Sequence, residues 1–109
     1  MNSAHDMPFE EYTHPGHLLK RKLNEEGVTP HALAMAISVA PTRIYAILNG
    51  KREITLQTSL RLGKYFGQSA LFWLHRQIDH DLATVGADLR VQRDLAAITP
   101  LSEQRAQVQ

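Results

Sequence analysis

Val39-Ala40-Pro41-Thr42-Arg43-Ile44-Tyr45-Ala46-Ile47-Leu48-Asn49-Gly50-Lys51-Arg52 is the stretch that decides the fold. Pro41 starts a helix, because the first helical position needs no N–H and favours a fixed φ. Ile44, Ile47 and Leu48 then share one face, while Thr42, Arg43, Tyr45, Ala46 and Asn49 project elsewhere. Asn49-Gly50 stops the helix with a left-handed cap, and Lys51-Arg52 follow as a basic loop. The result is a helix over 41–48 with a buried stripe and an outward face of small, polar and basic side chains.

Working toward the N-terminus, Thr29-Pro30 is an N-cap followed by proline at the first helical position. It predicts a short Ala-rich helix over 30–36, broken by Ser38-Val39-Ala40. Two short helices joined by a tight turn read as a helix-turn-helix. In such a motif the first helix braces the second, a task suited to the small Ala32, Ala34 and Ala36. The second lies in the DNA major groove, whose width admits one α-helix. Further upstream, Pro15-Gly16 opens a helix over 16–26, with Leu18, Leu19 and Leu23 set against Lys20, Arg21 and Lys22, and Gly27 closes it.

Downstream, Thr55 caps a fourth helix with Leu56, Leu60, Leu62 and Phe66 apolar, ending at Gly67. Ser69 is expected to cap a fifth, in which Leu71, Leu74, Ile78, Leu82 and Val85 repeat at helical steps before Gly86. Residues 88–98 read as a further short helix, and the polar stretch after Pro100 as frayed. The fold class is therefore all-α, with no strand alternation. The expected divisions are a tail at 1–13, a helix-turn-helix domain at 14–85 and a helical extension with a frayed end at 86–109.

Composition narrows the chemistry. The 109 residues fit one small domain with tails. There is no Cys, which excludes disulfides, Cys-ligated zinc and a thiol nucleophile. No apolar run reaches the ~18 residues of a membrane span. Residues 1–10 lack the apolar core of a signal peptide, so a cytoplasmic location is expected. The net charge is only +1, yet it is unevenly spread. Lys20, Arg21, Lys22, Arg43, Lys51, Arg52, Arg61 and Lys64 lie within 14–66 against Glu25, Glu26 and Glu53. Acidic Asp6, Glu10 and Glu11 precede them. A basic centre suits an anionic partner.

No enzyme motif is present: the chain has neither a Gly-rich phosphate loop nor a nucleophile elbow. No cofactor is implied. His14 and His17 are three residues apart, but no third ligand sits at a diagnostic spacing, and His75 and His80 are five apart on different sides of a helix. No metal site is expected.

VAPTRIYAILNGKR at 39–52 resembles the helix-turn-helix of the Cro/phage-repressor (XRE) family. His14-Pro15-Gly16, ILNGKREIT at 47–55 and TSLRLGKYFGQSALFWL at 58–74 are similar to HigA-type antitoxins of bacterial toxin–antitoxin modules. The resemblance spans about residues 14–85. It implies an all-α, five-helix, lambda-repressor-like domain, to which the helix read at 88–98 adds a C-terminal helical extension. It also implies that the chain binds double-stranded operator DNA as a homodimer, represses its own operon and neutralises a small HigB-like ribonuclease toxin. The alternatives are a free-standing XRE-type regulator with no toxin and a protein-interaction module whose helix-turn-helix no longer binds DNA.

By the same resemblance Pro41, Thr42 and Ala46 match positions that touch base edges, with Tyr45 nearby. This chain departs from relatives that carry an amide or charged side chain at Pro41 and Ala46, and from those with a carboxylate at His17. Readout then leans on Thr42, Arg43, thymine-methyl contacts and DNA shape. Arg43 is the leading base or phosphate reader. Thr29 and Ala40 to Thr42 offer helix N-termini to phosphates, Lys51 and Arg52 pair with phosphates, and Asn49 is first a cap. A two-fold operator calls for a dimer, and the stripe Leu71, Leu74, Ile78, Leu82 and Val85, with the segment to Ile98, is the expected contact.

Overall fold

The computed structural model describes residues 14–108, so the expected tail at 1–13 lies outside the described residues. Seven helices are found there: α1 Pro15–Glu26, α2 Pro30–Ile37, α3 Pro41–Leu48, α4 Leu56–Phe66, α5 Phe72–Val85, α6 Leu89–Ala97 and α7 Leu101–Val108. There is no strand among the described residues.

The caps explain the boundaries. Thr29 Oγ1 accepts from the Ala32 N–H at 3.0 Å, and Thr55 Oγ1 accepts from the Thr58 N–H at 3.3 Å. Asp88 Oδ1 accepts from the Arg90 N–H at 2.8 Å and starts α6. Gly27 and Gly67 close α1 and α4 with φ of 68° and 69°. Ser38 closes α2 at φ 58°, the one non-glycine with positive φ among the described residues.

Two expectations about boundaries are corrected. Ser69 does not cap a helix running from it: its Oγ accepts from the Leu71 N–H at 3.3 Å within a turn, and α5 begins at Phe72. The segment after Pro100 is helical, not frayed. Leu101, Glu103, Gln104, Arg105 and Ala106 are good helix formers, and the Pro100 carbonyl accepts from the Gln104 N–H at 3.0 Å.

The core is made by Leu19 and Leu23 of α1, Leu33, Ala34 and Ile37 of α2, Ile44, Ile47 and Leu48 of α3, Ile54, Leu62 of α4 and Trp73 of α5. The apolar positions of α1, α2 and α3 follow the helical period expected of them. Two faces differ from expectation. Only Ala34 of the three bracing alanines is buried; Ala32 and Ala36 are exposed. On α4 the core face is Thr58, Ser59, Leu62 and Gly63, while Leu56 and Leu60 are exposed. The buried Ser59 is satisfied: its Oγ donates to the Ala70 carbonyl at 2.8 Å and accepts from the Leu74 N–H at 3.0 Å. That pair joins α4 both to the turn before α5, at Ala70, and to the first turn of α5, at Leu74.

On α5 the buried residues are Trp73 and Gln77. The apolar repeat faces outward, with Leu71 39%, Ile78 45%, Leu82 68% and Val85 55% exposed. No residue of α6 is buried, and Leu89, Leu95 and Ile98 are exposed as well.

Candidate nucleic-acid interface

The outward side of α3 is built from one decision of the sequence, the burial of Ile44, Ile47 and Leu48. With that stripe fixed inward, Thr42, Arg43, Tyr45 and Asn49 are exposed and Pro41 and Ala46 are half-buried. Thr29 and Ala40 are exposed at the starts of α2 and α3. Gly50 then takes φ 74°, a left-handed turn that costs glycine little. The Lys51 N–H donates to the Ala46 carbonyl at 2.8 Å, so Lys51-Arg52 leave the helix on a fixed path.

Two open hollows lie along this side. One, of about 370 Å³, is lined by Ala40, Thr42, Arg43, Ala46 and Arg52. The other, of about 410 Å³, is lined by Arg43, Lys51, Arg52, Glu53, Thr55 and Thr58. Arg43 and Arg52 line both hollows. The structure thus brings Ala40, Thr42, Arg43, Ala46, Lys51 and Arg52 together. Thr29, Pro41, Tyr45 and Asn49 line neither hollow. Among the described residues no carboxylate forms an ion pair with Arg43, Lys51 or Arg52. Glu53, Thr55 and Thr58 were not among the expected site residues. Thr55 was legible as a helix cap, and a cap places a helix N-terminus, with its free N–H groups, at the same hollow.

Beneath the basic loop sits a histidine cluster that spacing alone does not reveal. His14 Nδ1 accepts from the Gly16 N–H at 2.9 Å and caps α1. The His14 ring also hydrogen-bonds the backbone of Arg52. The ring centroids of His80 and His17 lie 5.1 and 6.4 Å from it. Burial lowers the His14 pKa from its ordinary 6.5, and His80 and His17 lower it further, against the Arg52 bond and Asp81. Among the described residues no group of three or more His, Asp or Glu is placed to hold a metal ion.

The family model described as Helix-turn-helix matches residues 19–74. The chain belongs to this helix-turn-helix family. Virulence-associated protein I of Dichelobacter nodosus is 41% identical over 90 residues, covering 82% of this chain and 81% of that protein. The Pseudomonas aeruginosa antitoxin HigA, solved with the higBA promoter, is 35% identical with a TM-score of 0.74, covering 83% of this chain and 98% of that one. An addiction module antidote protein of the HigA family from Coxiella burnetii is 33% identical with a TM-score of 0.68, covering 82% and 97%. As a helix-turn-helix protein the chain has α2 and α3 as its motif, both inside the matched segment. No helix among the described residues is long and apolar enough to cross a membrane.

Proposed function

We propose that this chain is the antitoxin of a bacterial toxin–antitoxin module. It binds operator DNA as a homodimer, represses its own operon and neutralises a small HigB-like ribonuclease toxin, all in the cytoplasm. The observation that carries this reading is the basic side of α3 and its loop, set in a fold shared with an antitoxin solved on its promoter. Thr42 and Arg43 read base edges, with Pro41, Tyr45 and Ala46 beside them. Thr29, Ala40, Asn49, Lys51 and Arg52 meet the phosphates. The reading requires no catalytic group and no cofactor.

Arg43→Ala is expected to cost about 1–3 kcal/mol of operator affinity and to relax sequence preference at one position. Unchanged operator affinity would remove Arg43 from the reading surface. Lys51→Ala acts differently, weakening all duplexes alike and flattening the dependence of log affinity on log salt by about one unit. An unaltered slope would take Lys51 off the phosphate contacts.

The dimer uses the stripe that runs from Leu71 along α5, with Ile78, Leu82 and Val85 exposed and Leu74 half-buried, and α6 adds to it. A water-exposed run of this kind is favourable to bury, at roughly 25 cal/mol per Å² of apolar surface. Leu82→Asp places a charge in that contact and is expected to yield a folded monomer by light scattering. A variant that remains dimeric at micromolar concentration would place the contact elsewhere.

The toxin is tested by purifying the tagged chain from its host after nuclease treatment. A stoichiometric small partner, encoded next door and toxic when expressed alone, supports the antitoxin reading. Operator binding with no such partner makes the chain a free-standing regulator. That second reading is favoured by a 32% identical relative over 98 residues, an uncharacterised HTH-type transcriptional regulator of Escherichia coli.

A further inference from the structure

We propose that His14 is a positioning residue for DNA binding: its ring ties the start of α1 to the Arg52 backbone and so holds the Lys51-Arg52 loop against the phosphates. The proposal rests on the reading that this loop meets phosphate. Two bonds define the ring. Nδ1 accepts from the Gly16 N–H at 2.9 Å, so it carries no proton. The second bond, to the Arg52 backbone, favours the protonated ring, so the ring donates it to the carbonyl. The donor is then Nε2. Only the neutral ring with its proton on Nε2 makes both bonds. A protonated ring would put a hydrogen where the Gly16 N–H now points.

The surroundings hold that state. His14 is partly buried, with His17 of α1, His80 and Asp81 of α5 and the Arg52 backbone facing it. Its lowered pKa keeps it neutral at pH 7. Gly50 passes over it: a Cβ added there would stand 3.8 Å from His14 Cγ and 3.9 Å from His17 Nε2. The left-handed residue that launches the basic loop therefore lies next to the histidine pair. His14 touches no DNA in this arrangement. It sets where the Arg52 main chain runs, and through it where the guanidinium reaches.

The first test uses the wild-type chain at pH 7 and reads its histidine tautomers from nitrogen-15 side-chain spectra. A bare Nδ1 and a proton on Nε2 of His14 is expected. A proton on Nδ1 overturns the proposal, whatever any variant does. The second test is His14→Asn, which keeps an N-cap acceptor for Gly16 but is too short to reach Arg52. Its melting temperature should stay near that of the wild type. Its affinity for operator and for random duplex should fall about threefold to tenfold, with a shallower salt slope. In an Arg52→Ala background the same substitution should cost less, because only the Lys51 contact is left to lose. Wild-type affinity in His14→Asn, or an equal loss in both backgrounds, would overturn the positioning role. A wild-type chain that binds no duplex would instead overturn the reading of the loop as a phosphate contact, and the tautomer result would stand apart from it.

Discussion

Gly16→Ala is expected to destabilise the domain by about 3 kcal/mol or more, the largest loss from alanine at any glycine of the described residues. Gly16 is fully packed at the first turn of α1, where that helix crosses the C-terminal end of α3. A Cβ on it would fall inside the van der Waals sphere of the Ile47 carbonyl oxygen and 2.8 Å from its carbon. The obstacle is backbone, so no rotamer change relieves it. That carbonyl is also committed, accepting from the Gly50 N–H at 3.0 Å in the turn that launches the basic loop. Either α1 moves off α3, or the end of α3 distorts. Both choices open the core around Leu19, Ile44 and Ile47. Gly27→Ala is the comparison. Gly27 has φ 68° and open space around it, so its alanine meets only torsional strain of about 1–2 kcal/mol. Urea unfolding of the two variants separates steric from torsional cost. Equal losses at the two sites would show that the close approach of α1 to α3 is not what fixes glycine at 16.

The second large effect is at Gln77, a side chain only 4% exposed. Its Oε1 accepts from the Ile54 N–H at 2.8 Å, and its Nε2 donates to Asp81 Oδ1 at 3.1 Å. Ile54 is itself buried and follows the Lys51-Arg52-Glu53 loop, so Gln77 pins the loop's far end to α5. Gln77→Leu keeps the volume and removes the acceptor. It leaves a buried N–H without a partner, which costs about 1–3 kcal/mol, and it strips Asp81 of a donor as well. Thermal unfolding should drop accordingly. Gln77→Glu restores the acceptor for Ile54 but sets a carboxylate against Asp81. Its folded pKa is then raised above the unfolded value of about 4.3, so its stability should improve as pH falls toward 4. A Gln77→Leu variant as stable as the wild type would mean that the loop holds Ile54 without α5.

The helix-turn-helix was legible because its signals are local. Thr29-Pro30, Pro41 and Asn49-Gly50 mark starts and stops within a few residues, and the Ile44, Ile47, Leu48 stripe orients α3 by itself. The outward set of Thr42, Arg43, Lys51 and Arg52 follows from that one orientation. The fifth helix was harder. Its strongest apolar repeat, Leu71 to Val85, is the face turned away from the core, while the core takes Trp73 and the polar Gln77. The stripe was readable as a face left for a second subunit, but helical period has no means of seeing that a glutamine is needed to satisfy a loop N–H from far away in sequence. The same limit hid the histidine cluster. His14 and His80 lie at opposite ends of the domain, and only the crossing of α1 and α5 brings their rings within 5.1 Å. Ser69 has the composition of a cap but serves a turn, because Ser59 and the Ala70 carbonyl fix the chain just after it.

The central claim is that the exposed side of α3 reads a DNA sequence. Fluorescence anisotropy with a duplex taken from immediately upstream of the chain's own gene tests it most directly, against a scrambled duplex of equal length and composition at fixed salt. Two chains per native duplex are expected, with an affinity at least about a thousandfold above that for the scrambled one. Equal affinity for both duplexes, or no binding to either, would contradict it.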